Sequence, residues 1–211
     1  RGLGDVYKRQ VQYRMHEDIM RFSSNWFYDG ELEAAPEIRH REILDWDTPV
    51  TWIDTSDMDF KEEFVGETFG RINKEEAHLL LKELEAYILR IGGSRILEER
   101  IDFGLISPYK AQVQYLRGKI KGSATLRPYR SLITVNTVDG FQGQERDVIF
   151  ISLVRANEEG QIGFLNDLRR MNVAITRARM KLVILGEAAT LGHHAFYKQL
   201  LEYVKKVNGR Q

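Results

Sequence analysis

The sequence predicts an α/β fold in which a mostly parallel β-sheet is flanked by helices. Two apolar runs carry most of that reading: Val148-Ile149-Phe150-Ile151-Ser152-Leu153-Val154 and Leu182-Val183-Ile184-Leu185. Both are short, rich in β-branched residues and nearly free of alternation, the pattern of strands covered on both faces between helix layers. Amphipathic helical stripes stand between the apolar runs, as crossover connections require. Polar residues gather where the runs begin: Asp139, Gln142, Gln144 and Glu145 before the first, and Arg169, Arg170, Arg177 and Arg179 before the second. Open α/β sheets bind their ligands at strand ends.

The elements follow in chain order. Arg1–Gln10 has no periodicity, and its DVYKRQ segment resembles a translated sequencing-library adapter. Residues 1–10 are therefore expected to be a non-native tail, residues 11–211 the folded domain, and the natural protein to continue upstream. Apolar residues spaced by three and four from Ile19 predict a helix reaching about Trp26. Val50–Thr55 reads as a strand, and the acidic stretch Ser56–Gly70 as a surface insertion. Asn73 with Glu76 three residues on makes a capping-box pattern, opening a helix with an apolar stripe from Leu80 to Ile91 that Gly92-Gly93 ends. Phe103–Ile106 is a strand. Ser107-Pro108 then supplies a cap residue and an N1 proline for a helix containing Val113, Leu116 and Ile120. Leu132–Val135 is a strand leading to Thr137, Arg155–Gly163 a polar loop, Asp167–Arg179 a helix, and Ala195–Val207 a last amphipathic helix.

Composition narrows the function. Lys+Arg and Asp+Glu both number 31, so the net charge is zero and any nucleic-acid contact must come from a local patch. The absence of cysteine removes disulfides, thiolate zinc sites and thiol catalysis, and fits a reducing, cytoplasmic compartment. No apolar run approaches the roughly 18 residues that span a bilayer, so no membrane partner is expected. His193-His194 stands without further ligands, and no metal site is expected from it. No G-x-x-x-x-G-K-[ST] occurs: Gly118-Lys119 is followed by Ile120, and Val113 stands where the upstream glycine would be.

The stretch Val138–Arg155, VDGFQGQERDVIFISLVR, resembles motif V of superfamily 1 helicases, and Arg169–Arg179, RRMNVAITRAR, resembles their motif VI. Ile162–Leu165, IGFL, between them is similar to the senataxin and nonsense-mediated-decay helicase branch. Two upstream blocks agree: QYRMH (Gln12–His16) followed by FYDGELEA (Phe27–Ala34), and SPYKAQ (Ser107–Gln112). The resemblance implies the second RecA-like domain of a P-loop NTPase, working with an upstream RecA-like domain on ATP with Mg2+ and on single-stranded DNA or RNA, with 5′-to-3′ movement.

Residue by residue, the resemblance implies that Tyr13 stacks on the adenine and that Arg14 reaches the γ-phosphate. It makes Arg177 the motif VI arginine finger and Glu145 the motif V acid that hydrogen-bonds the ribose. Asp139 and Gln142 are expected to hold the motif V loop and couple the two ligands. Ser107, Tyr109 and Thr137 are candidate contacts to a single-stranded backbone, where exposed amides and a hydroxyl at a helix start suit a phosphate. Arg169, Arg170 and Arg179 read as surface pairs with the many carboxylates, worth little each. The missing lysine and magnesium ligands are expected from the upstream domain. Two other readings stay open: a nucleic-acid-dependent NTPase that remodels complexes without unwinding, and a non-catalytic nucleic-acid-binding module that retains the fold.

Overall fold

Val148 and Phe150 pack into one hydrophobic core, while Ile149 and Ile151, pointing the other way, pack into a second. Leu182 and Ile184 join the second core, and Val183 and Leu185 the first. Side chains alternate across a strand, so a run without polar alternation is one whose two faces are both covered. The computed structural model describes residues 10–12, 14–66 and 70–209; Tyr13 and most of the expected tail lie outside them.

Among the described residues the elements run β1 (Gln10–Gln12), α1 (Glu17–Phe27), β2 (Leu32–Ala34), β3 (Val50–Asp54), β4 (Glu63–Val65), β5 (Gly70–Ile72), α2 (Lys74–Ile91), α3 (Gly93–Glu99), β6 (Phe103–Ile106), α4 (Lys110–Gly122), β7 (Ile133–Asn136), β8 (Arg146–Ser152), α5 (Leu168–Ile175), β9 (Ala178–Gly186), α6 (Ala188–Leu191) and α7 (Ala195–Asn208). The central sheet has the order β3-β9-β8-β6-β7, and every pairing in it is parallel. One face carries α2, α3 and α4 through Leu80, Leu84, Ile96, Val113 and Leu116; the other carries α1, α5 and α7 through Ile19, Met171, Phe196 and Leu200.

Gln10, the last residue of the expected tail, pairs with Leu32 in the parallel β1–β2 ribbon. Several local expectations need correction. Ser107-Pro108 does not cap α4, which begins two residues later with Tyr109 as the cap residue; the Ser107 hydroxyl instead accepts the Tyr109 N–H at 3.4 Å. The capping box is half formed. Asn73 Oδ1 accepts the Glu76 N–H at 3.1 Å, but the Glu76 carboxylate turns inward to Ser152 and Val154. Helix α5 stops at Ile175, four residues before the expected Arg179. The Thr176 hydroxyl donates to the Asn172 carbonyl at 2.8 Å, and the chain turns directly into β9. The acidic insertion holds the antiparallel β4–β5 hairpin and is docked by Glu62 against Arg155 at 2.5 Å.

The link from β7 to β8 organises the rest. It leaves the carboxyl end of β7, crosses β6 and re-enters at the amino end of β8, because β6 lies between its neighbours. Buried Phe141 covers β6 at Gly104, where an added Cβ would stand 3.0 Å from the Phe141 ring and 2.6 Å from Ile149 Cδ1. Only glycine leaves room for the connector to cross that closely.

Candidate functional site

Three chain segments meet at the amino ends of β8 and β9. Glu145 is the residue before β8, Arg177 the residue before β9, and Arg14 stands in the turn between β1 and α1. Main-chain bonds lace them together: Arg146 N–H donates to the Arg177 carbonyl at 3.0 Å, and His16 N–H to the Arg179 carbonyl at 2.8 Å. Gln12 shapes the turn. Its Oε1 accepts the amides of Arg14 and Met15 at 2.8 and 2.7 Å, and its Nε2 donates to the Met15 carbonyl at 2.8 Å. His16 Nδ1 then caps α1 by accepting the Asp18 N–H at 3.0 Å, and burial pushes the imidazole pKa down, favouring the neutral ring that a cap requires.

The side chains of this group converge. Arg14 Nε lies 3.5 Å from Glu145 Oε2, and Arg14 Nη1 donates to the Thr176 carbonyl at 3.4 Å. Arg177 is buried, with a relative exposure of 9%. Its Nε donates to the Val173 carbonyl at 3.1 Å and its Nη2 to the Thr176 hydroxyl at 3.5 Å. Among the described residues no carboxylate stands within ion-pairing distance of it. Burial lowers its pKa first, the like charge of Arg14 lowers it further, and Glu145 opposes both. An arginine held by neutral partners beside a second arginine keeps donors in hand for an anion carrying several charged oxygens. The structure therefore brings Arg14, Glu145 and Arg177 together, while Tyr13 lies outside the described residues.

The other expected contacts lie at the opposite end of the sheet. Ser107 follows β6 and Thr137 follows β7, both at carboxyl ends. At ~3.3 Å per residue, β8 separates the two ends by roughly 20 Å. Thr137 is half-buried and lines a groove with Pro108, Asp139, Phe164 and Arg170. Ser107 and Tyr109 do not reach it, being 0% and 3% exposed. The Tyr109 hydroxyl donates to the Ile162 carbonyl at 3.4 Å and accepts from Arg155 Nη1 at 3.3 Å, so its side chain is held in the interior behind the groove. Asp139 pairs with Arg170 at 3.4 Å, and Gln142 is exposed; both belong to the connector that runs from the carboxyl end of β7 to the amino end of β8.

The matches to known proteins decide the family. Residues 4–189 match the AAA domain family. The chain belongs to that family. Its relatives place it among superfamily 1 helicases of the senataxin and nonsense-mediated-decay type. It is 36% identical over 204 residues to the probable helicase MAGATAMA 3 of Arabidopsis thaliana, covering 94% of this chain and 24% of that protein. It is 36% identical over 206 residues to the regulator of nonsense transcripts 1 homolog of Drosophila melanogaster, covering 94% and 17%. It is 35% identical over 209 residues to helicase SEN1 of Saccharomyces cerevisiae, covering 94% and 9%. The chain thus spans about a quarter or less of the length of these relatives.

Two features of this AAA domain escaped the sequence reading. Arg179 pairs with carboxylates as expected, but with three at once, Glu145, Asp102 and Asp147. A buried polar network also ties the start of α2 and helix α4 to the carboxyl end of β8. Glu76 Oε1 accepts from the Ser152 hydroxyl at 2.6 Å and the Val154 N–H at 2.9 Å, Asn73 Nδ2 donates to the Val154 carbonyl at 3.0 Å, and Gln112 Nε2 donates to Ser152 Oγ at 3.0 Å. Val154 takes a positive φ of 70° there, a conformation a β-branched residue adopts only under such restraint. A capping-box glutamate followed by a polar Ser152 inside an apolar run was the available signal. Among the described residues no group of three or more His, Cys, Asp or Glu is placed to hold a metal ion, and no helix is long and apolar enough to cross a membrane.

Proposed function

We propose that this chain is the second RecA-like half of an ATP-dependent helicase, supplying one side of an ATP site and part of a single-strand grip. The observation that carries the reading is the buried Arg177 guanidinium under the like charge of Arg14, which itself pairs with Glu145. Phosphoryl transfer rests on positioning and on neutralising the charge spread over the γ-phosphate oxygens. Two guanidinium forks suit that charge, and they act across a cleft as arginine fingers. Glu145 accepts a ribose hydroxyl, and Tyr13 stacks on the base. The phosphate-cradling lysine and the magnesium ligands come from the preceding RecA-like domain, since no P-loop is present in this sequence.

The connector between β7 and β8 joins the two ends of the sheet physically. Asp139 and Gln142 therefore couple nucleotide state at the amino ends to the Thr137 groove at the carboxyl ends. Repeated closing and opening of the two RecA-like domains moves the strand, with 5′-to-3′ polarity following from the family resemblance. The named relatives are helicases or a regulator of nonsense transcripts, which favours an active enzyme over a module that kept only the fold. The test is strand-stimulated ATP turnover by the whole protein carrying Arg177→Ala. The reading predicts collapse of turnover with a smaller loss of nucleotide affinity; near-normal turnover overturns it.

A further inference from the structure

Arg179 is the second residue of β9, on the same side of the sheet end as the nucleotide-facing group. Its guanidinium reaches Asp147 at 3.3 Å, Asp102 at 3.7 Å and Glu145 at 3.7 Å. Asp102 and Asp147 are themselves fixed, because each accepts the other's main-chain N–H, at 2.7 and 3.1 Å. Burial pushes the Asp102 carboxyl up, and the charge of Arg179 opposes that rise. Arg179 is thus anchored to residues at the starts of β6 and β8. Its carbonyl accepts His16 N–H, so the same residue also fixes the segment that carries Arg14.

The Glu145 carboxylate is shared between two unlike arginines. Oε1 faces Arg179, and Oε2 faces Arg14 at 3.5 Å. Beyond Glu145, the Arg14 side chain holds the Thr176 carbonyl at 3.4 Å, a neutral and long contact. Arg179 has two further carboxylates. A polyphosphate entering beside Arg177 can therefore draw Arg14 away from Glu145, whereas Arg179 cannot follow without abandoning two anchored acids.

We infer that Arg179 is a positioning residue that holds the Glu145 carboxylate for a ribose hydroxyl when Arg14 turns toward the phosphates. The inference rests on the nucleotide reading proposed above. The guanidinium meets Asp102 and Asp147 through Nη1 and Glu145 through Nη2; a compact ammonium has no second nitrogen to spread over the same acids.

The experiment compares KM for ATP and for 2′,3′-dideoxy-ATP in the whole protein and its Glu145→Ala, Arg179→Ala and Arg179→Lys variants. Wild type should prefer ATP by roughly tenfold, the size of one charged hydrogen bond. Glu145→Ala should lose that preference. Arg179→Ala should lose most of it through KM, with kcat less affected, and Arg179→Lys should lose part of it while keeping the fold. A merely structural role would lower the amount of active protein and leave the ratio between the two nucleotides unchanged. Loss of the preference in Glu145→Ala but full retention in Arg179→Lys and in folded Arg179→Ala overturns the role of Arg179 alone. An undiminished preference in Glu145→Ala overturns the ribose reading, and this inference with it.

Discussion

Arg177 shows how a single residue can be kept ready. Its guanidinium is buried yet bonded to a main-chain carbonyl and a hydroxyl, and the like charge of Arg14 stands close by. Burial and the Arg14 charge disfavour the charged guanidinium in the free chain, and in the proposed reading the phosphates of a nucleotide offset that cost. Loss of an arginine finger lowers turnover by about 10³-fold or more, so Arg177→Ala should cost that much in the whole protein. Arg177→Lys should fail to rescue, because an ammonium cannot reproduce two parallel N–H donors; steady-state turnover of the two variants checks this. Glu76 is a different case, a buried acid whose desolvation pushes its pKa from 4.5 up to about 7 against hydrogen bonds that favour the charge. Its second oxygen finds no hydrogen-bond partner among the described residues. A carboxyl with a raised pKa binds its proton more tightly when folded. Its stabilising contribution is complete below pH 4.5, falls as pH rises through that window, and is lost above about 7. The difference is on the order of 3 kcal/mol. Glu76→Gln should therefore remove a decline in thermal midpoint between about pH 4.5 and 7; equal slopes for wild type and variant would refute it.

At the scale of elements, the connector between β7 and β8 is the decisive piece, and Gly104 is what lets it cross. A β-branched side chain there must displace Phe141 or Ile149. Gly104→Val should destabilise the fold by about 1–3 kcal/mol, the usual penalty of overpacking, read as a lower denaturant midpoint at an unchanged slope; an unchanged midpoint would contradict the close crossing. The elements also show what the sequence made legible. Val148–Ile151 and Leu182–Leu185 announce doubly covered strands because both of their faces are apolar, and α2, α4 and α7 announce themselves by their stripes. Helix ends were read less well, since side chains there had partners far along the chain. Glu76 left its capping box for Ser152, and α5 ended early where Thr176 bonded back to Asn172. The short ribbons β1–β2 and β4–β5 carry too few residues for a period to show. Of the site, Arg14, Glu145 and Arg177 were reachable by resemblance, and the structure gathers them. Ser107 and Tyr109, expected as contacts, are buried in this chain, and a loop's sequence does not reveal that Arg155 and the Ile162 carbonyl hold the Tyr109 hydroxyl inside. Arg179 was passed over because its partners Asp102 and Asp147 begin strands remote in sequence.

At the scale of the whole molecule, balanced charge limits what the chain can do alone. With 31 basic and 31 acidic side chains it has no long-range attraction for a polyanion. Strand binding by this chain should be weak, should fall steeply with salt and should discriminate little between sequences, because backbone contacts are ionic and sequence-blind. Equilibrium titrations across salt concentrations check this, and a preference of about 1000-fold for one sequence would contradict it. The nucleotide end has the same incompleteness. In the proposed reading Arg14, Glu145 and Arg177 supply γ-phosphate and ribose contacts but no amide cradle, lysine or group that orients water. The most direct measurement is phosphate release from ATP by residues 11–211, with and without single-stranded nucleic acid, and again in the whole protein. The proposed division of labour predicts no turnover by the chain alone and strand-stimulated turnover once the preceding domain is present; robust turnover by residues 11–211 that Arg177→Ala abolishes would contradict it.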